Sequence, residues 1–167
     1  MTTPVDLEAR VARLEDLEAI KQLKYRYFRC LDTKQWDEMA GCFIADATAA
    51  YGDGRYTFTG RDAIMQFLRD NMGVQSGTWG HHHGHHPEIE VTSATTARGT
   101  WALHNYLLNP RHQRGVRMAC YYRDEYVKAD GAWKIRHTGY THLYHEEWSR
   151  SDTPSLRVLA PAEGGPR

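Results

Sequence analysis

Residues 7–43 read LEARVARLEDLEAIKQLKYRYFRCLDTKQWDEMAGCF, and the spacing of their apolar positions decides the architecture. Leu7, Val11, Leu14, Leu17, Ile20, Leu23, Tyr27 and Leu31 recur three and four apart with Glu, Arg and Lys between them, which predicts one long amphipathic helix. Asp32-Thr33 follows where the stripe stops. Either residue could cap a second, short helix over residues 34–42 that carries Trp36, Met39 and Phe43 on its apolar side. The chain thus opens as a helical pair.

Downstream the period changes. Residues 47–51 and 55–59 are strand-like and flank Gly52-Asp53-Gly54, where the Asp-Gly pair suits the positive backbone angles of a tight hairpin. Ile64, Phe67 and Leu68 repeat at helical spacing within 63–71 and predict a third helix, and 73–80 reads as a loop. Strands follow over 88–91, 96–108, 116–129 and 133–143, divided by turn signals at Thr92-Ser93, 109–115 and Asp130-Gly131. In the last of them Trp133, Ile135 and His137 alternate with Lys134, Arg136 and Thr138, and the long strands should form an antiparallel meander. The order predicts an α+β domain with its helices against one face of a strongly curved sheet, enclosing a conical cavity suited to a flat apolar ligand. One domain is expected over 1–150. A tail over 151–167, with three prolines, extends from it or crosses a neighbouring subunit.

The whole chain has 167 residues, and its 21 Lys and Arg balance 21 Asp and Glu. That neutrality argues against a nucleic-acid or polybasic membrane binder, which needs a positive excess to engage phosphates. No apolar run is long enough to span a membrane, and Met1 to Asp6 lacks the pattern of a signal peptide, so a cytoplasmic location is expected. Cys30, Cys42 and Cys120 form no C-x-x-C pair and read as buried structural thiols.

Ten histidines are the compositional oddity, and five fall in His81-His82-His83-Gly84-His85-His86. Alternate residues of a strand share a face, so His81 with His83, or His83 with His85, could ligate a metal. Two imidazoles need a third ligand, however, and no H-E-x-x-H or comparable set is present, so no metal is expected. Most of the run fits a solvated strand edge. One member could point inward and act as a base, provided a carboxylate fixes its tautomer, and Asp32 is a candidate for that carboxylate as well as for a helix cap. Tyr27 and Tyr51 offer hydroxyls that could donate in a dry site, while Trp101 and Tyr140 could line an apolar pocket. Of the adjacent His104 and Asn105 only one can face inward, and His142 raises the same question on the last strand.

The segments DLEAIKQLKYRYFRCLDTKQWDEM (16–39), HHGHHPEIEV (82–91), TTARGTW (95–101) and TGYTHLY (138–144) resemble the SnoaL-like branch of the NTF2-like superfamily. The resemblance is greatest to its bile acid 7α-dehydratases and more distant to its scytalone dehydratases and lindane dehydrochlorinases. It implies a cone-shaped α+β barrel with three helices on the concave side of a mostly antiparallel sheet, a homotrimer, and no metal or organic cofactor. The family's catalytic histidine and aspartate fall on His82 and Asp32, and its helix and hairpin tyrosines on Tyr27 and Tyr51. Asn105 and His142 stand where the bile acid enzymes carry an aspartate and an arginine, so a less charged substrate is expected. The resemblance therefore implies a cofactor-independent lyase of the dehydratase type, acting on a small, hydroxylated, carbonyl-activated cyclic or aromatic substrate. Isomerisation, ring closure, formaldehyde release from an aryl compound and non-catalytic binding of an apolar ligand are its rivals.

Overall fold

A computed structural model describes residues 7–159. Helix α1 (Leu7–Thr33) is followed by α2 (Trp36–Ala40), the hairpin β1 (Phe43–Tyr51) and β2 (Tyr56–Thr59), and α3 (Arg61–Met72). Four long strands complete the chain: β3 (Trp79–Val91), β4 (Thr96–Asn109), β5 (Arg114–Ala129) and β6 (Ala132–Ser149). They form one sheet in the order β2-β1-β6-β5-β4-β3, in which β3 to β6 are a consecutive antiparallel meander and β1 joins β6 in parallel. The fold is the expected α+β arrangement of three helices and a curved, mostly antiparallel sheet.

Register shifts mark where strands bend. They fall between His85 and Glu88 on β3 and, on the β5–β6 pair, at Ala119/Cys120 and Glu125/Tyr126. Because β2 and β3 lie at opposite edges, the connection through α3 must cross the sheet, and α3 buries Ile64, Met65 and Leu68. α1 contributes Ile20, Leu23, Tyr27, Phe28 and Leu31 to the same core. The hairpin forms as predicted, with Gly52, Asp53 and Gly54 all at positive φ.

Several boundaries differ from the sequence reading. Asp32 and Thr33 do not cap α2; they belong to the last turn of α1, where the Thr33 hydroxyl donates back to the Arg29 carbonyl. The helix ends one residue later at Lys34, whose φ of 61° is left-handed, and α2 begins after Gln35 with no side-chain cap. The third helix and the second hairpin strand lie within two residues of expectation, whereas β1 starts at Phe43, four residues before the predicted 47. The expected loop over 73–80 gives way to a 3₁₀ turn (Val74–Ser76), and β3 starts at Trp79, nine residues before the predicted 88. Thus the whole histidine run is strand. β6 likewise continues past 143 to Ser149.

The apolar stripe of α1 is only partly buried. Asp16 meets Lys128 and Trp133 beside the β5–β6 turn, and ahead of it Leu7, Val11 and Leu14 are exposed. The start of the expected tail is anchored by the buried Arg150 side chain, which donates to the Leu156 carbonyl; the expectation for 160–167 lies outside the described residues.

The core also holds a charged pair that no local sequence pattern announces. Lys24 and Asp124 form an ion pair at 2.7 Å with both side chains fully buried. Asp124 also accepts from the hydroxyls of Tyr126 at 2.7 Å and Thr138 at 2.8 Å, while Trp101 Nε1 donates to the Tyr126 oxygen at 2.8 Å. Burial pushes the Lys24 ammonium down in pKa against the opposing pull of Asp124.

Candidate active site

The dyad expected from the sequence is assembled. Asp32 sits at the end of α1 and His82 on edge strand β3, and both carboxylate oxygens are committed to this one residue. Oδ2 accepts the His82 backbone N–H at 3.0 Å, and Oδ1 accepts Nδ1–H at 2.5 Å. A proton on Nδ1 leaves Nε2 of the neutral ring with the lone pair, the form a general base requires. The neighbouring α1–α2 turn is braced by Arg29, which donates to Gln35 at 2.8 Å and Glu38 at 2.6 Å.

The glycine of His82-His83-Gly84 has a steric reason. Gly84 shares a strand face with His82, and a Cβ there would stand 2.1 Å from the edge of the Phe28 ring, which packs nearly parallel to the imidazole. Phe28 is itself in the core and cannot swing away. Gly84→Ala is therefore expected to destabilise the protein by about 1–3 kcal/mol through overpacking and to disturb the dyad; a denaturant melt and a histidine NMR spectrum measure the two effects.

His82 stands in the wall of a cavity of about 230 Å³ between α1, α3 and the sheet. Apolar walls come from Leu31, Phe67, Leu68, Met72, Leu103 and Met118, and rings from Tyr27, Tyr51, Tyr56, Tyr122 and Tyr140. The Tyr27 and Tyr51 hydroxyls lie 3.3 Å apart, and burial raises both phenols well above their ordinary pKa, so each remains a neutral hydroxyl able to donate. Burial likewise pushes Tyr140 up to about 12. Asn105 faces His82 directly across β3 and β4, and its Oδ1 is buried without a hydrogen-bond partner. A buried amide oxygen without a partner is uncommon, and this one belongs to a residue of the cavity wall.

Two wider depressions lack the buried phenols and Asn105. One of about 710 Å³ lies among charged residues such as Glu90, Arg98, Arg123 and Glu125. The other, of about 550 Å³, runs between α1 and β3 and reaches Asp32 and His82 from the side of His81, His83 and His85.

The structure separates the remaining candidates. Asn105 faces the cavity and the adjacent His104 points to the other side of the sheet, paired in register with His83. Tyr140 lines the cavity as expected. Trp101 does not: it is fully buried against Tyr126 and Tyr25, deeper in the cone. Nor is His142 a cavity residue, because its backbone N–H and Nδ1 both bind Asp53 of the hairpin turn at 2.7 Å. His81 and His83 bring their rings within 4.0 Å on the face opposite His82, but no group of three or more His, Cys, Asp or Glu converges as a metal-ligand set among the described residues. Burial raises Cys30 to about 11 and Cys120 to about 12, as suits structural thiols. No helix among the described residues is long and apolar enough to cross a membrane.

A curved sheet closed over one long helix, with an imidazole–carboxylate pair in the wall of the resulting hollow, defines an NTF2-like α+β cone. Within that class the chain belongs to the SnoaL-like family, whose domain profile matches residues 12–139. Solved structures agree on the fold. A protein of Novosphingobium aromaticivorans provisionally described as a scytalone dehydratase superposes with a TM-score of 0.76 at 21% identity, covering 93% of this chain and 99% of its own. A type 2 hexachlorocyclohexane dehydrochlorinase gives 0.77 at 19% identity, covering 91% and 98%, and a type 3 enzyme from Novosphingobium barchaimii gives 0.76 at 20%, covering 91% and 99%.

Proposed function

We propose that the protein is a cofactor-independent lyase that eliminates water from a small, hydroxylated cyclic or aromatic compound bearing a carbonyl group. The observation that carries this reading is the double engagement of His82 by Asp32 at the wall of an aromatic cavity. In this mechanism His82 Nε2 removes a proton from the carbon next to the carbonyl, and Asp32 stabilises the imidazolium that results. Tyr27 and Tyr51 donate to the carbonyl oxygen as enolate charge develops. The imidazolium then returns its proton to the departing hydroxyl, so that water leaves and the dyad is restored. Asn105, beside His82 on the neighbouring strand, holds a polar group of the substrate next to the base.

The volume bears on substrate size. A cavity of about 230 Å³ lies below the roughly 300–1,000 Å³ typical of drug-sized ligands, which favours a one- or two-ring substrate over a four-ring sterol. A homotrimer, implied by the family resemblance, belongs to the same reading; Tyr121, Leu143 and Tyr144 are exposed on the sheet and available to such contacts. The test is a screen of hydroxylated cyclic ketones and aryl alcohols followed by mass spectrometry. Loss of water is the expected result. A product of unchanged mass, release of formaldehyde, or tight binding without turnover would replace dehydration by isomerisation, carbon–carbon cleavage or simple ligand carriage.

A further inference from the structure

The buried ion pair lies directly beneath the cavity. On β5, Met118 and Tyr122 line the hollow and Asp124 is the next residue on the same face; on α1, Tyr27 and Leu31 line it and Lys24 is one turn earlier. Lys24 Nζ is 3.7 Å from the centre of the Tyr122 ring, 4.6 Å from that of Tyr27 and 5.0 Å from that of Phe28. The contacts of Asp124 lead the other way, to Tyr126 and Thr138, neither of which lines the cavity. The pair is thus a fixed dipole whose positive end touches the aromatic floor.

Stability alone does not account for such a pair. Replacing a buried ion pair by well-packed apolar residues is often neutral or stabilising, so the charges require another explanation. A cation against the face of a phenol withdraws electron density and strengthens donation by its hydroxyl, and it does so most in a dry site. Tyr27 is one of these rings, and its hydroxyl is the one joined to Tyr51.

We infer that Lys24, held by Asp124, is a positioning residue that makes the tyrosine floor selective for an oxyanion, so that the cavity takes the enolate or phenolate form of a conjugated carbonyl or phenolic ligand in preference to the neutral form. The inference rests on the assignment of Tyr27 and Tyr51 as oxyanion donors. Lys24 never meets the ligand; it acts through the rings of Tyr27 and Tyr122. The two charges cancel at long range, so the effect is confined to groups within a few ångströms of the ammonium.

The test uses 4-nitrophenol as the probe, with its ionisation followed by visible absorbance in the full-length protein. In the wild type the bound probe should ionise at lower pH than the free one. Lys24→Met/Asp124→Asn removes both charges and keeps an amide for the Tyr126 and Thr138 hydroxyls; it should lower the ionisation constant of bound probe about tenfold. Lys24→Arg should stay within about threefold of wild type. A wild-type cavity with no preference for the phenolate overturns the inference whatever the variants do. So does a folded double variant with the wild-type constant, or an arginine variant that loses as much as the double variant. Tyr27→Phe separates the two levels: if it leaves the probe unchanged, the assignment of the donors fails, whereas loss in Tyr27→Phe with none in the double variant removes only the role of Lys24.

Discussion

His82→Ala is expected to lower kcat/KM by about 10²- to 10⁴-fold on the substrate that the screen identifies, with the fold intact, because it removes the only imidazole that the described residues place in the cavity wall. Asp32→Asn should approach the same loss by a different route. An asparagine side chain can still accept the His82 backbone N–H, so the strand stays anchored, but a neutral amide neither stabilises the imidazolium nor holds the proton on Nδ1. The two losses should not add: in His82→Ala/Asp32→Asn the fall should match that of His82→Ala alone, since the carboxylate acts only through the ring. Steady-state kinetics on the three variants measures this. Near-normal turnover in His82→Ala would remove the proposed mechanism altogether.

Why the dyad was partly legible in the sequence, and its companions less so, follows from what periodicity encodes. Alternation along a strand tells which residues share a face, as Trp101, Leu103 and Asn105 do on β4, but it leaves open whether that face or the one bearing His104 turns inward. It does not tell depth. Trp101 and Asn105 are four residues apart, or about 13 Å along a strand, and that distance separates the packed base of the cone from the cavity. His142 shows a second limit, because it lies at a register shift on β6 where the unpaired Leu143 is accommodated, and the turn residue Asp53 claims its imidazole. No local pattern on β6 announces a partner from the hairpin.

The histidine run illustrates the same division. Five imidazoles in six positions look equivalent by spacing, and the family resemblance, not periodicity, singled out His82. In the fold the choice has a physical basis: His82 is opposite Asn105 on the cavity side and in reach of α1, whereas His81 and His83 turn to the other face. Asp32 read equally well as a helix cap because α1 was expected to end before it. The helix in fact runs through Asp32, which points the carboxylate at β3 rather than back at its own backbone. Lys24 is illegible in the sequence for a simpler reason. It adjoins Leu23 and lies three and four residues before Tyr27 and Phe28, squarely on the buried stripe, yet lysines beside an apolar stripe ordinarily extend into water. Only the partner 100 residues away, Asp124, makes its burial intelligible.

That burial gives the largest expected effect on stability. Lys24→Met should destabilise the protein by about 3–5 kcal/mol, because it strands the Asp124 carboxylate in a fully buried site. At about 2–4 °C per kcal/mol for a chain of this size, the thermal midpoint should fall by about 6–20 °C. Lys24→Met/Asp124→Asn should recover most of the loss, since the amide carries no charge. The two single variants should also differ in the sign of their pH dependence. In Lys24→Met the lone carboxylate takes up a proton more readily in the folded state than in the unfolded chain, so the folded state binds more protons and stability improves as pH falls. In Asp124→Asn the lone ammonium gives up its proton more readily when folded, adding to the downward shift that burial already imposes on Lys24. There the unfolded chain binds more protons, and stability should improve as pH rises toward the ordinary lysine value of 10.5. Denaturant midpoints at several pH values measure both slopes. Parallel slopes would mean that the pair does not carry separate charges in the core, and with it would go the dipole beneath the tyrosine floor.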